Sequence, residues 1–202
     1  MSKTPVTATE NQGEVLIPIA RAAISSALGR SYSGTIEDIP WLHEKGASFV
    51  TLTQNQNLRG CIGTLEAHRP LLIDVKANAH AAAFRDPRFS PLKAHELDST
   101  EIEISLLSAL QPLVYSGEHE ALAQLQPGID GVVFEFGRYR STFLPQVWEQ
   151  LPDVDVFMAH LKHKAGLQPR FWDEEVKLYR YTVSKWKEKD ITREVEVLDK
   201  RT

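Results

Sequence analysis

Ser48-Phe49-Val50-Thr51-Leu52-Thr53-Gln54-Asn55-Gln56-Asn57-Leu58-Arg59-Gly60-Cys61-Ile62-Gly63 reads as one β-hairpin. β-Branched and aromatic residues crowd its first arm, Gln54 to Asn57 form a polar turn, and apolar residues resume at Leu58. Strand side chains alternate in direction, so Arg59, Cys61, Gly63 and Leu65 share one face while Gly60, Ile62 and Thr64 take the other. Arg59 is then the same-face neighbour of the chain's single cysteine, and Gly63 leaves a gap on the cysteine's other side. A thiol becomes a nucleophile when a nearby cation stabilises its thiolate, and glycines admit a close backbone or ligand. The competing account makes Cys61 a small buried hydrophobe and the glycines relief for a helix packed above them.

Working outward, residues 14–28 carry apolar side chains at Val15, Ile19, Ala23 and Ala27, the spacing of an amphipathic helix that Gly29 ends. Arg69-Pro70 opens a second helix through Leu72, Val75, Ala79 and Ala82 to Phe84, its small residues implying close packing on a sheet. Residues 101–107 alternate strictly, with Ile102, Ile104 and Leu106 on one side and Glu101, Glu103 and Ser105 on the other. A second hairpin pairs 131–136 with 139–144 across Gly137-Arg138, and Pro145 opens a short helix through Trp148. Asp153 caps a further helix to Gly166, residues 176–186 return as a strand, and a charged tail follows Lys187. Helices interspersed with hairpins give an α+β fold around a mainly antiparallel sheet rather than a doubly wound parallel one. The domain reading is a flexible N-terminus over 1–12, one two-lobed domain over 13–187, and a charged tail over 188–202.

At 202 residues, 42% hydrophobic and 25% charged, the chain is long and apolar enough for a substantial core. A net charge of −4 supplies no general attraction for nucleic acid. No apolar run reaches the ~20 residues of a bilayer span, and the first fifteen residues lack the apolar core of a signal peptide. One cysteine forms no internal disulfide, so the cytoplasm is the default compartment.

Four segments carry a resemblance: Leu58-Arg59-Gly60-Cys61-Ile62-Gly63-Thr64-Leu65, Ala81-Ala82-Ala83-Phe84-Arg85-Asp86-Pro87-Arg88-Phe89, Glu101-Ile102-Glu103-Ile104-Ser105-Leu106-Leu107 and Thr142-Phe143-Leu144-Pro145-Gln146-Val147-Trp148. In this order, from about residue 15 to residue 186, the chain resembles the AMMECR domain, whose bacterial members are called AmmeMemoRadiSam system protein A. The resemblance implies a two-lobed α+β domain with a central, mainly antiparallel sheet, flanking helices and a cleft lined by the arginine-glycine-cysteine segment. It also implies Memo-type and radical SAM partners, and it implies no established reaction.

Around that segment the candidate groups each have two readings. Asp86-Pro87-Arg88 is either a capped turn or a stiff loop holding a carboxylate or anion contact. Glu103 and Ser105 are either a solvated strand face or, if that face lies beside Arg59 and Cys61, a site in which Glu103 is a general base or an arginine partner. Thr142 and Gln146 flank a helix start, where capping competes with anion binding. His160 and His163 lack the further ligands of a metal site, and His68 or His80 would be needed at the thiol for a Cys-His pair. There is no phosphate-binding glycine loop, dinucleotide fingerprint or iron–sulfur cysteine cluster, so no cofactor or metal is assigned.

Two function classes follow. In the first, an enzyme or enzyme subunit of a modification pathway, Cys61 is nucleophile or acceptor and Glu103 transfers protons. Its ligand, an anionic small molecule, meets Arg59, Gly60, Gly63, Asp86, Arg88, Ser105, Thr142 and Gln146. The alternative is a non-catalytic binding or adaptor domain for the same partners, or an RNA-modification factor that the net charge does not favour.

Overall fold

The computed structural model describes residues 12–35 and 37–191. In chain order the elements are α1 (Gln12–Ala27), β1 (Lys45–Gln54), β2 (Asn57–Gly63), β3 (Arg69–Pro70), α2 (Leu71–Phe84) and β4 (Thr100–Leu107). Then follow β5 (Gln111–Pro112), α3 (Glu118–Ala123), β6 (Gly131–Phe136), β7 (Tyr139–Phe143), α4 (Val154–Lys164), β8 (Lys177–Tyr181) and β9 (Val183–Lys187). Short 3-10 helices cover Pro40–His43, Ala94–Ser99 and Pro145–Glu149. One compact unit holds the described residues up to Leu106 together with those from Ser184 onward, and a second comprises Leu107–Val183.

In the first unit the strands run in the order β2-β1-β4-β9, with β3 pairing on β1. β1 and β2 are antiparallel, pairing Phe49 with Gly63 and Thr51 with Cys61, and the register shifts after Leu52. Their turn is only Asn55-Gln56, both at positive φ (48° and 66°), the backbone geometry that matches the twist of tight hairpins. Val50 and Leu52 of β1 join Ile102 and Ile104 of β4 on one face, where α1 contributes Leu16, Ile19 and Ile24 and α2 contributes Val75, Ala79 and Ala82. Each large aliphatic side chain removed from water there contributes about 1.5–3 kcal/mol. The small residues of α2 let it approach very closely. A Cβ built on Gly60 would lie 2.1 Å from the Ala82 carbonyl oxygen, so only glycine fits under the helix.

In the second unit the order is β5-β8-β6-β7. Its core gathers Phe134, Trp148, Phe157, Leu161 and Leu178, with the Trp148 and Phe157 rings stacked 3.6 Å apart. The Asp153 carboxylate accepts the Val156 N–H at 2.9 Å and so caps α4, as the sequence predicts.

The protein is α+β, with antiparallel pairing in both sheets. Four details differ from the sequence reading. Arg69-Pro70 do not begin a helix but pair with β1, and α2 starts at Leu71. Residues 176–186 hold two strands interrupted at Thr182, β8 in one sheet and β9 in the other. Periodicity did not mark the six-residue α3, too short to show a repeating face. The tail begins later than Lys187, because Glu188 accepts from Arg21 Nε at 2.9 Å and from the Ile102 N–H at 3.1 Å. Of the N-terminal stretch expected to be flexible, 1–12, Gln12 is the first residue of α1, and its other residues, like the tail from residue 192, lie outside the described residues.

Candidate functional site

β2 is an edge strand, and at Cys61 its exposed edge is closed by side chains rather than by another strand. The Cys61 N–H donates to Asp86 Oδ2 at 2.8 Å, while Arg88 Nη2 donates to the Cys61 carbonyl at 3.2 Å. Asp86 and Arg88 are themselves joined in a fork, Nε to Oδ1 at 2.9 Å and Nη2 to Oδ2 at 2.7 Å. A carboxylate and a guanidinium two residues apart therefore grip one residue of the strand by both its backbone groups. The turn after α2 makes this possible, since the Asp86 carbonyl accepts the Phe89 N–H and the Ala83 carbonyl accepts the Leu92 N–H.

The pair is electrostatically tight. Hydrogen bonds from the Arg88 guanidinium hold the Asp86 carboxyl well below the usual carboxylate range; burial opposes them, and the Cys61 and Arg88 N–H groups add to them. Asp86 in turn holds Arg88 above its ordinary value, desolvation opposes this, and the Cys61 side chain reinforces it. Arg88 is thus the cation bonded to the cysteine's backbone. Its side chain is 52% exposed, so the charge stands at the surface, and the partly exposed Cys61 Sγ also accepts a hydrogen bond from Thr51 Oγ1 at 3.3 Å.

This corrects the expected role of Arg59. That side chain is forked onto Glu96, Nε to Oε1 at 3.0 Å and Nη2 to Oε2 at 3.3 Å, and its Nη1 donates to the Ser90 carbonyl at 2.9 Å. Glu96 titrates below its ordinary value, chiefly through those Arg59 hydrogen bonds. Both arginines of the anion hypothesis therefore already have carboxylate partners, and a ligand anion competes with Asp86 or Glu96 for them.

Gly63 also differs from expectation. Its side of the strand is no gap: a Cβ there would lie 2.1 Å from the ring of Phe49, which lies across the glycine. Gly60 sits on the opposite face under α2, so the two glycines have separate reasons. Glu103 and Ser105 alternate with the core residues Ile102 and Ile104 and so share the face of Thr51, but β1 lies between their strand and β2. Two strand spacings put β4 about 9.5 Å from β2, and the Glu103 carboxylate is 3.7 Å from Lys187 Nζ on β9, the neighbour away from β1. A general base acts at about 2.6–3.2 Å, so Glu103 is not placed to take a proton from Cys61. Ser105 is buried.

Thr142 and Gln146 belong to the second unit. Thr142 is buried, its hydroxyl 3.1 Å from Tyr181 OH, while Gln146 is exposed in the 3-10 helix after Leu144. His68 contacts the Glu66 carbonyl and His80 packs on Phe84; neither is bonded to Cys61. Among the described residues no group of three histidine, cysteine, aspartate or glutamate side chains is arranged for a metal ion.

The sequence reading missed a buried network beside this strand. Asp74, 0% exposed on α2, accepts from Ser48 N–H and Oγ, Thr64 Oγ1, Arg69 Nε and Asn78 Nδ2, at 2.7–2.9 Å. The available signal was the polar pair Asp74 and Asn78, four residues apart on a helix whose adjacent positions Val75, Ala79 and Ala82 are all buried.

The Asp86–Arg88 pair makes a pH prediction. A carboxyl depressed in the folded state adds stability above its unfolded value near ~4 and loses it as pH falls through the folded value. Asp86→Asn is therefore expected to melt below the wild type at pH 7, with the gap closing as pH falls from ~4 toward 2. Thermal melts across that range check this; a gap of equal size at pH 7 and pH 3 would contradict the ionised clamp.

Comparison with known proteins places these features in a family. The AMMECR1 family model matches residues 17–186. A protein of Methanothermobacter thermautotrophicus is 36% identical over 177 residues, covering 86% of this chain and 92% of its own. Protein MJ0810 of Methanocaldococcus jannaschii is 38% identical over 178 residues, covering 86% and 88%. The crystal structure of the uncharacterized protein PH0010 from Pyrococcus horikoshii superposes with a TM-score of 0.69 at 34% identity, covering 87% of this chain and 91% of that one. The segment that closes on Cys61, from Arg59 through Arg88, lies inside the matched region, and the chain belongs to the AMMECR1 family.

Proposed function

We propose that this chain is the thiol-bearing subunit of a modification pathway, in which Cys61 is the reacting or ligand-accepting group and Memo-type and radical SAM proteins are the partners. The observation that carries the reading is the grip of Asp86 and Arg88 on both backbone groups of Cys61, which fixes a cation on the residue that bears the thiol. A structural cysteine needs no such arrangement; a reactive one needs a fixed position, partial exposure and a neighbouring cation. Arg88 Nη1, which has no hydrogen-bond partner among the described residues, is where an anionic portion of the ligand binds. The adaptor reading has one observation in its favour. Within the first unit, a cavity of about 550 Å³ is lined by residues such as Arg21, Tyr32 and Thr100 and not by Cys61, whose side chain faces a surface that a partner can cover.

Thiol alkylation decides between these. In wild type, iodoacetamide is expected to label Cys61 in the folded protein, with the rate at pH 7 falling about two- to tenfold in Arg88→Gln and little in Arg59→Gln. Rates measured against pH in all three proteins give the comparison. A Cys61 that reacts only after unfolding, or at one rate in every variant, removes the nucleophile and leaves the adaptor. Among the described residues no helix is long and apolar enough to cross a membrane.

A further inference from the structure

The second unit has a cavity of about 1050 Å³ between α3, α4 and the Pro169-Arg170 turn. Four of its lining residues, Asp155, Met158, Ala159 and Lys162, are spaced three, one and three apart, so they form one stripe along α4. Leu122 of α3 adds to the apolar middle of the cavity, and Glu118 stands at the end that holds Lys162. Asp155 and Lys162 are seven positions apart, about 10 Å along the helix axis.

The charges are not evenly spread along that stripe. Lys162 is only 3% exposed, an unusual place for an ammonium, and its Nζ donates to Glu118 at 2.5 Å and lies 5.7 Å from the centre of the Trp172 ring. An ammonium carries three N–H donors, and one goes to Glu118. Arg170, two residues before Trp172, also lines the cavity and has no ion-pair partner among the described residues. The lining therefore carries two cations, Lys162 and Arg170, and of its two carboxylates Glu118 is paired with Lys162 while Asp155 lies about two turns from Lys162 along α4. We propose that the α3–α4 cavity binds a medium-chain monocarboxylate, its carboxylate at Lys162 and Arg170 and its apolar chain along Met158, Ala159 and Leu122. Asp155 at the far end sets the polarity, because a carboxylate placed there would meet a like charge.

Isothermal titration of the full chain with sodium octanoate tests it, with sodium acetate and octylammonium chloride as controls. Octanoate is expected to bind saturably with one-to-one stoichiometry, and the two controls not at all. Arg170→Gln, at an exposed side chain, is expected to weaken octanoate roughly five- to tenfold. Ala159→Phe, which fills the middle of the stripe, is expected to abolish binding while circular dichroism and melting temperature stay near wild type. No saturable octanoate binding, equal binding of octylammonium, or octanoate affinity unchanged in Arg170→Gln would each overturn the assignment. Should Ala159→Phe fail to fold, Arg170→Gln and the two controls still decide it.

Discussion

Gly60→Val is expected to cost the protein about 3 kcal/mol or more and to leave little folded material at 37 °C. Glycine here faces backbone, not a movable side chain. The Cβ alone would sit 2.1 Å from the Ala82 carbonyl oxygen and 3.0 Å from the carbonyl carbon, so β2 or the whole of α2 must move. Moving α2 opens the core it shares with α1 and β1, where Val75, Ala79 and Ala82 are almost completely buried. Gly63→Ala provides the control on the same strand. Its Cβ meets the Phe49 ring, which is half-buried and can swing outward, so the expected cost is smaller, about 1–2 kcal/mol. Chemical denaturation of the two variants measures the difference. A Gly60→Val protein as stable as Gly63→Ala would mean that α2 does not lie this close to β2.

The same two glycines show what a sequence can and cannot display. The hairpin was legible because β-branched residues, a polar turn and resumed apolar alternation are local signals, and β1, β2 and β4 follow them closely. Close packing of α2 was legible too, from its run of small residues. Which glycine that helix required was not, because the answer depends on which face of β2 turns inward, and Gly60 and Gly63 differ by an odd number of positions. The site was partly legible for a similar reason. Asp86 and Arg88 were recognisable as a charged turn, but their target, the Cys61 backbone, lies 25 and 27 residues away and depends on β2 being an edge strand. Arg59 stood nearer to Cys61 in sequence and was the natural candidate for its cation. Its partner Glu96, in a 3-10 helix with no periodic signature, is 37 residues distant. The interruption at Thr182 escaped for a simpler reason. Two strands meeting end to end in different sheets carry one uninterrupted β pattern.

Asp74→Ala is expected to lower stability by about 3–5 kcal/mol, the range for removing one partner of a buried ion pair. The carboxylate is fully enclosed, and it satisfies Ser48 N–H and Oγ, Thr64 Oγ1, Arg69 Nε and Asn78 Nδ2 at once. Those donors come from β1, the residue after β2, β3 and α2, so one side chain joins the strands of the hairpin to the helix above them. Alanine leaves five donors facing a cavity. Arg69, whose side chain is 30% exposed, can reach water, which argues for the lower half of the range. Asp74→Asn keeps an acceptor oxygen but turns an amide NH₂ toward donors, so it is expected to fall between alanine and wild type. A double-mutant cycle with Arg69→Met separates the pair from the rest: if Arg69 carries most of the interaction, the two losses overlap strongly. If they simply add, the backbone and hydroxyl donors hold Asp74 and the arginine is incidental. Asp86–Arg88 contacts Cys61 without using any of these groups. Asp74→Asn should therefore lower the melting temperature while preserving the alkylation ratio between wild type and Arg88→Gln, which distinguishes the support of β2 from the chemistry on it.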